Sequence, residues 1–255
     1  MNKMLKPIQI EQIIPQEQRE VAKILSENIF SRIPKGHFFL VGGTAVALKY
    51  GHRQSIDFDF FSFPKQWIDD HGDVHINYDQ EILDQVDKLL RSEKFHPRKD
   101  MAMTYGQLQY EYGEVGITFL AFQNMAAQAK TDIYHVPQFP LEKEMTPLGF
   151  ETLSIKDLAG MKAFARTRRS KMKDIVDIAE ILRHGEVSLK DILKIAEKQF
   201  GYDISKKEIL IALACIDDIL ENPIDEKIEY VHNRDNSYYI NILKKECLNL
   251  YNGDF

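Results

Sequence analysis

Cysteine is nearly absent from this chain, which has two in 255 residues, Cys215 and Cys247. Both lie in apolar, helix-like runs and lack the spacing of metal ligands, which argues against a disulfide framework or a thiolate metal site. We therefore expect two buried free thiols in a reducing compartment.

Long apolar runs and an excess of positive charge are also missing. No stretch approaches the roughly 20 apolar residues that a membrane helix requires, and the N-terminus is too polar for a secretory signal. The formal net charge of −6 argues against nucleic-acid binding over the whole surface, although a local basic patch can still hold phosphates. These absences predict a cytoplasmic globular protein that does not enter membranes.

The apolar periodicity predicts an α+β first half followed by a helical second half. In the first half we expect helices over 16–31, over 44–50 and after a cap at Asp79, and strands over 37–41, 55–63, 101–105, 108–112 and 115–122. In the second half we expect helices over 155–168, 173–183, 188–199, 205–220 and 236–250.

Three prolines, Pro137, Pro140 and Pro147, separate these halves and place a domain boundary near residue 148. The sequence therefore predicts an α/β core over 1–148 and a helical domain over 149–255. Ser154 with Asp157 resembles a capping box that starts the first helix of the second half.

Two aspartates, Asp57 and Asp59, alternate with phenylalanines on the strand predicted over 55–63. Side chains two residues apart on a strand point to the same side, so the carboxylates can share a divalent cation. Mg²⁺ is usually held by one or two carboxylates together with substrate phosphates, and Mn²⁺ has similar preferences. Taken alone, the pattern more often marks an exposed polar strand face.

The segment Gly42-Gly43-Thr44 precedes this strand and opens a predicted helix. Glycine lets backbone N–H groups approach a phosphate closely, the N-terminus of a helix favours negative charge, and Thr44 adds a hydroxyl. A glycine pair by itself is more often a tight turn, so the signal comes from its combination with Asp57 and Asp59.

That combination resembles the AbiEii/AbiGii toxin-type nucleotidyltransferases of the polymerase-β-like superfamily. The resemblance rests on the segments 40–48, Gly51-His52-Arg53 and 55–61, and it continues through 156–162 and 169–177, covering about 36–183. It implies a nucleotidyltransferase core with a mixed sheet flanked by helices, followed by helices that complete the nucleotide cleft.

The resemblance also implies roles for individual residues. Asp57 and Asp59 would hold the metal, Lys162 would contact phosphate, and Asp174 would belong to the catalytic set. The nucleoside triphosphate would be bound by residues of the glycine turn, the following loop and the basic helices, namely Gly42, Gly43, Thr44, Arg53, Ser55, Lys162 and Arg169.

Read without the family, the range 156–173 holds seven basic side chains and one acid in an acidic chain, which makes a focused positive patch. Lys162 has small or apolar neighbours and needs a partner, either the triphosphate or an aspartate. Asp174 and Asp177 lie on one side of a helix, where they either serve the site or pair with nearby basic residues. Arg53 either binds phosphates or neutralises Asp57 and Asp59.

A third carboxylate, which polymerase-β-like enzymes commonly carry on a later strand, is not found at the expected place. The strand predicted over 115–122 has Thr118 there, and Glu114 or Asp174 are the alternatives that the sequence offers. The general base therefore stays unassigned.

The resulting hypothesis is a Mg²⁺-dependent enzyme that transfers a nucleoside monophosphate to an acceptor hydroxyl. The resemblance points to RNA, particularly tRNA ends, as the acceptor and to a cognate antitoxin as a partner. Two alternatives are adenylylation of a small molecule, as in antibiotic-modifying relatives, and a nucleotide-binding regulator that has lost catalysis.

Overall fold

The computed structural model of the protein describes residues 7–63, 65–68, 74–77, 80–98, 106–121, 142–200, 204–221 and 227–252. Nine strands lie in these ranges: β1 (Phe39–Val41), β2 (Phe58–Ser62), β3 (Lys65–Ile68), β4 (Val74–Asn77), β5 (His96–Pro97), β6 (Gln107–Tyr112), β7 (Val115–Ala121), β8 (Lys143–Met145) and β9 (Glu151–Leu153).

The same ranges contain ten α-helices, and none of them is both long and apolar enough to cross a membrane. They are α1 (Pro7–Ile13), α2 (Gln16–Ile24), α3 (Gly42–Tyr50), α4 (Gln80–Ser92), α5 (Ile155–Arg168), α6 (Met172–His184), α7 (Leu189–Phe200), α8 (Lys206–Ala214), α9 (Asp217–Glu221) and α10 (Asn236–Asn252).

Seven strands form one mixed sheet in the order β5-β6-β7-β2-β1-β9-β8, with β2 at its centre. Strand β2 pairs antiparallel with β1 and parallel with β7, while β1 pairs parallel with β9. The remaining two strands, β3 and β4, form a separate hairpin-like pair. The central position of β2 matters because it carries Asp59.

Alternation along β2 separates an apolar face from an acidic one. Phe58 and Phe60 are fully buried, whereas Asp59 and Phe61 are partly exposed on the opposite face. The ring of Phe60 packs 5.0 Å from that of Phe119 and 5.1 Å from that of Phe150. This aromatic core fixes the register of the central strands, because a shift by one residue would turn the Asp59 carboxylate into the apolar face of the sheet.

Helices α5, α6, α7, α8 and α10 pack together and join the sheet layer through α3, which packs on both α5 and α6. The Ser154 hydroxyl accepts a hydrogen bond from the backbone N–H of Asp157 and so caps α5. Gly185 ends α6 in the left-handed conformation that glycine favours. These signals explain why α5 begins at Ile155 and α6 ends at His184, close to the bounds that the sequence predicts.

The predicted α+β architecture is confirmed, but several details differ. The helix predicted over 16–31 is α-helical only as far as Ile24. It continues as a π-helical turn at Leu25–Ile29 and a 3₁₀ turn at Phe30–Arg32. The range 205–220 is not one helix, because the chain breaks between α8 and α9. Cys215 lies at that break and is exposed, so the prediction of two buried thiols is wrong for Cys215 and right for Cys247.

Some of the other predictions cannot be compared with the structure, and others differ from it in their bounds. The strand over 101–105 and the cap at Asp79 lie outside the described residues. Strand β2 is shorter than predicted, so Asp57 stands just before it. The predicted boundary near residue 148 falls in the turn between β8 and β9, which both belong to the main sheet, and the helical part begins at residue 155.

Candidate functional site

The glycine turn brings the start of α3 against Asp59. Gly42 has a φ of +71°, and a Cβ at that position would stand 2.6 Å from Oδ2 of Asp59. A side chain would therefore be strained and would collide with the carboxylate. Only glycine leaves the helix N-terminus, with its partial positive charge, this close to Asp59.

Asp57 and Asp59 contact the neighbouring parallel strand. The backbone N–H of Gly116 donates to Oδ1 of Asp57 at 3.2 Å, and the Thr118 hydroxyl hydrogen-bonds to Asp59, its partner in register. Burial and the charge of Asp57 raise the pKa of Asp59, despite the opposing effect of the positive side chain of Lys162. The pair is thus held close together in a setting that favours a bound cation.

Thr44 and Ser55 support the chain around Asp57. The Thr44 hydroxyl lies 2.8 Å from Oγ of Ser55 and also donates to the main-chain carbonyl of Asp57. Thr44 is buried, so its hydroxyl anchors the loop that leads into β2. The hydroxyls of Thr44 and Ser55, both predicted to bind nucleotide, therefore lie in the hydrogen-bond network next to the main chain of Asp57.

A second cluster of charged side chains is buried between α3, α5 and α6. At its centre is Asp177, which accepts from Nε of Arg53 at 2.8 Å, from Nη2 of Arg53 at 2.9 Å and from Nζ of Lys162 at 2.7 Å. His52 Nε2 lies 2.8 Å from the same carboxylate. Arg53 is therefore bidentate to Asp177, an arrangement that fixes the orientation of its guanidinium.

Asp174 belongs to this cluster from the other side of Lys162. It accepts from Nζ of Lys162 at 2.9 Å and from Nε of Arg169 at 2.8 Å. The sequence had left open whether Asp174 and Asp177 pair with basic residues, and the structure pairs both of them. Lys162 therefore has two carboxylate partners, which account for the burial of a lysine that is only 6% exposed.

Electrostatic coupling determines the ionisation of this cluster. Burial opposes the charge of Asp177, but Arg53 and Lys162 outweigh it and hold the pKa of Asp177 well below its ordinary value. Burial likewise opposes the charge of Lys162, while Asp174 and Asp177 raise its pKa. Burial lowers the pKa of His52, so this imidazole is neutral at pH 7.

Lys162 and Arg169 link the two sets of carboxylates. Their charges act on both Asp59 and Asp174, and Lys162 also acts on Asp177; we call these two basic residues the helix-side wall of the Asp57–Asp59 site. Gly43 lies beside the buried charged cluster, because a Cβ there would meet the guanidinium of Arg53 and stand 3.6 Å from Oδ2 of Asp177. Every residue predicted for the site thus lies in or next to one continuous region.

The loop that carries Arg53 is also paired with a late segment of the chain. The N–H of Gln54 donates to the carbonyl of Glu229 at 2.7 Å, and the N–H of Val231 donates to the carbonyl of His52 at 3.2 Å. Arg53 forms the corresponding isolated bridge with Tyr230. Sequence reasoning missed this contact, because nothing in the range 227–231 signals a pairing partner so far away.

Asp57 and Asp59 are suitable ligands for a hard divalent cation. Within the described ranges, no group of three or more histidine, cysteine, aspartate or glutamate side chains could hold a metal ion. A two-carboxylate site suits Mg²⁺, which commonly takes its other ligands from water and substrate phosphates. The raised pKa of Asp59, caused by burial and by Asp57, fits a pair that gains stability when a cation is bound.

Comparison with known proteins identifies relatives of this chain. A family model described as the nucleotidyl transferase AbiEii toxin of a type IV toxin–antitoxin system matches residues 23–234. That range includes both carboxylate pairs, the glycine turn and the segment that pairs with the Arg53 loop.

Individual proteins and solved structures also match this chain. An uncharacterized protein of Aquifex aeolicus is 32% identical over 166 residues, which span 65% of this chain and 65% of that relative. The solved structure of MenT4, a nucleotidyltransferase toxin of Mycobacterium tuberculosis, aligns at a TM-score of 0.56 with 14% identity over 93% of this chain and 82% of its own. A candidate nucleotidyltransferase of H. pylori aligns at a TM-score of 0.48 with 18% identity, covering 91% of this chain and 94% of that one.

Proposed function

This chain belongs to the AbiEii nucleotidyltransferase toxin family, and from that premise we propose that it transfers a nucleoside monophosphate from a nucleoside triphosphate to an acceptor hydroxyl. The observation that carries the proposal is the approach of Asp59 to the Gly42 turn on one side and to the charges of Lys162 and Arg169 on the other. Carboxylates, a helix N-terminus and fixed cations are the parts that nucleotidyl transfer requires.

Asp57 and Asp59 would hold Mg²⁺, or Mn²⁺ in its place, at the reaction centre. When bound, such an ion would offset negative charge on the triphosphate and on the leaving pyrophosphate. The Gly42-Gly43 turn and the start of α3 would place backbone N–H groups beside the phosphates. Lys162 and Arg169 would neutralise the charge that accumulates as pyrophosphate leaves.

Arg53 and Asp174 act in this proposal mainly by positioning. Arg53 is held by both oxygens of Asp177 and so keeps a fixed charge beside Gly43. Asp174 carries hydrogen bonds from Lys162 and Arg169 and, although burial opposes this, they lower its pKa, which makes it a weak proton acceptor. Its role is to orient the two cations toward Asp59.

RNA, particularly a tRNA end, is the acceptor that we propose, with a cognate antitoxin as partner and the cytoplasm as location. The toxin classification of the family supports this choice. A neighbouring reading frame for a short antitoxin would strengthen it, and a resistance cassette would favour a small-molecule acceptor instead.

The direct test is incubation of the protein with each labelled nucleoside triphosphate, Mg²⁺ and either total RNA or a metabolite extract. We expect the double substitution Asp57→Asn with Asp59→Asn to reduce transfer by about 10³-fold or more, because an ion that stabilises the transition state by several kcal/mol would be lost. Asp84→Asn, an exposed aspartate on α4, is the matched control and should leave transfer unchanged. Full activity of the double variant would refute the proposal.

A second function is supported by one specific observation. Thr118, rather than a carboxylate, lies in register with Asp59 on the strand where relatives of the wider superfamily commonly have a third acid. A protein that binds nucleotide without transferring it would have this feature. Mg²⁺-dependent nucleotide binding without release of pyrophosphate would favour that function over catalysis.

A further inference from the structure

Arg98 lies near Asp57, where both side chains approach Gly116 of β7. A Cβ at position 116 would stand 2.7 Å from Oδ1 of Asp57 and 3.3 Å from Nη1 of Arg98. The two side chains thus meet above Gly116, which has no side chain to separate them. Nothing in the sequence around Arg98 distinguishes it from other arginines.

The backbone of the sheet places Arg98 at this position. Arg98 follows the short strand β5, and its N–H donates to the carbonyl of Gln109 at 3.0 Å. Gln109 pairs in register with Thr118, which in turn pairs with Asp59, so these three residues form a polar row across β6, β7 and β2. Oε1 of Gln109 is buried and has no hydrogen-bond partner within the described part of the chain.

Basic side chains from two parts of the chain therefore act on the carboxylate pair. The charges of Lys162 and Arg169, from α5 and the turn after it, act on Asp59, and Arg98, which follows β5, approaches Asp57 above Gly116. In phosphoryl-type transfer the attacking and leaving oxygens lie roughly in line, on opposite sides of the reacting phosphorus. If the helix-side wall receives the pyrophosphate, the acceptor has to approach from the side of Arg98.

We propose that Arg98 binds a phosphate of the acceptor next to the hydroxyl that attacks, and that Gln109 extends this acceptor subsite along the sheet. The inference deepens the proposed function and rests on it. A phosphate placed between a divalent cation on Asp57 and the guanidinium of Arg98 would be attracted by both positive charges. The phosphate that precedes the terminal nucleoside of an RNA is such a group, and arginine binds phosphate with directed hydrogen bonds.

The test compares Arg98→Ala and Arg98→Lys with wild-type protein in transfer to total tRNA. Loss of a charge-assisted contact predicts a rise in acceptor KM of roughly ten- to a hundredfold for Arg98→Ala, with donor KM changed less than about twofold. Arg98→Lys should recover part of the loss. Arg32→Ala removes an exposed arginine elsewhere and is the matched control, for which both KM values should stay unchanged.

A binding measurement without nucleotide keeps the inference separate from catalysis. The slope of log affinity for total tRNA against log salt should fall by about 0.7–0.9 in Arg98→Ala, as expected for one lost phosphate contact. If wild-type protein transfers nothing to RNA, the proposed function fails, yet reduced tRNA affinity in Arg98→Ala would still support the subsite. An equal rise in donor and acceptor KM, or unchanged tRNA affinity, would overturn the inference.

Discussion

Asp57 and Asp59, the strand pair, differ from Asp174 and Asp177, the helical pair, in the charges that surround them. The helical pair accepts hydrogen bonds from Arg53, Lys162 and Arg169, a set of side chains that outweighs the effect of burial and lowers both pKa values. The strand pair is contacted by a backbone N–H and a hydroxyl, and burial together with Asp57 raises the pKa of Asp59.

This difference shows how one pair of carboxylates can stabilise the site while the other remains suited to binding a cation. The protein supplies the counter-charge of the helical pair itself, so that pair holds the basic side chains in place. The strand pair remains in need of positive charge even with Lys162 and Arg169 nearby. Similar residues at similar spacing therefore take opposite roles, one as scaffold and the other as ligand for a cation.

The largest effect on stability should come from breaking the helical pair. Asp177→Asn leaves Arg53 and Lys162 buried without their shared carboxylate, and removing one partner of a buried ion pair typically costs about 3–5 kcal/mol. We expect a loss of that size in the free energy of unfolding measured with urea. Asp84→Asn serves as the control, and a loss below about 1 kcal/mol would show that the cluster is not a scaffold.

A smaller effect is expected at the glycine turn. Gly42→Ala forces a side chain into a left-handed backbone and against Asp59, which should destabilise the protein by about 1–3 kcal/mol. Gly185→Ala is the matched control, because it has a φ of +72° with nothing within 4 Å of the added atom. If both substitutions cost the same in thermal unfolding, the contact with Asp59 contributes nothing.

Mg²⁺ should stabilise the protein through the strand pair alone. At ten times the dissociation constant, a bound ion adds about 1.4 kcal/mol, which corresponds to a rise in Tm of about 3–5 °C for a chain of this size. The rise should vanish in Asp57→Asn with Asp59→Asn and after addition of EDTA. A similar rise in that double variant would place the ion elsewhere.

The smallest expected effect is on the pH dependence of the free energy of unfolding, to which Asp59 and Asp177 should contribute with opposite signs. Because the pKa of Asp59 is raised, its contribution to stability is present below the unfolded pKa of about 3.9 and is lost as pH rises through the folded pKa. Asp59→Asn should therefore gain stability over wild type in EDTA as pH rises from 4 to 7.

Asp177 should show the opposite sign. Arg53 and Lys162 overcome the effect of burial and lower its pKa, so its contribution is present above about 3.9 and is lost as pH falls through the folded pKa. The deficit of Asp177→Asn should shrink in acid. Urea unfolding at several pH values measures both trends, and trends of the same sign would contradict the contrast.

Local signals account for the parts of the fold that the sequence predicts. Ser154 and Gly185 mark helix ends through capping, which depends on a few adjacent residues, and the alternation of Phe58, Asp59 and Phe60 marks a strand. Strands β8 and β9 gave no comparable signal in a proline-rich stretch. They take their place in the sheet through the tertiary pairing of β9 with β1.

The site also contains residues that local sequence signals predict and residues that only tertiary contacts bring together. The glycine turn and the Asp57–Asp59 pair lie close together in sequence and were predicted together. The partner of Arg53 could not be predicted, because Asp177 is 124 positions away and Lys162 competes for the same carboxylate. Arg98 was missed because its closeness to Asp57 depends on the strand register and on the absent side chain of Gly116.

The pairing of the loop 52–54 with the segment 229–231 has a consequence for the order of events during synthesis. The Asp57–Asp59 strand leaves the ribosome long before the segment that braces Arg53, and at roughly 5–20 residues per second the interval is on the order of ten to thirty seconds. Throughout it the nascent chain lacks the backbone partner of its Arg53 loop. The chain therefore completes this site only after the segment 229–231 has been synthesised.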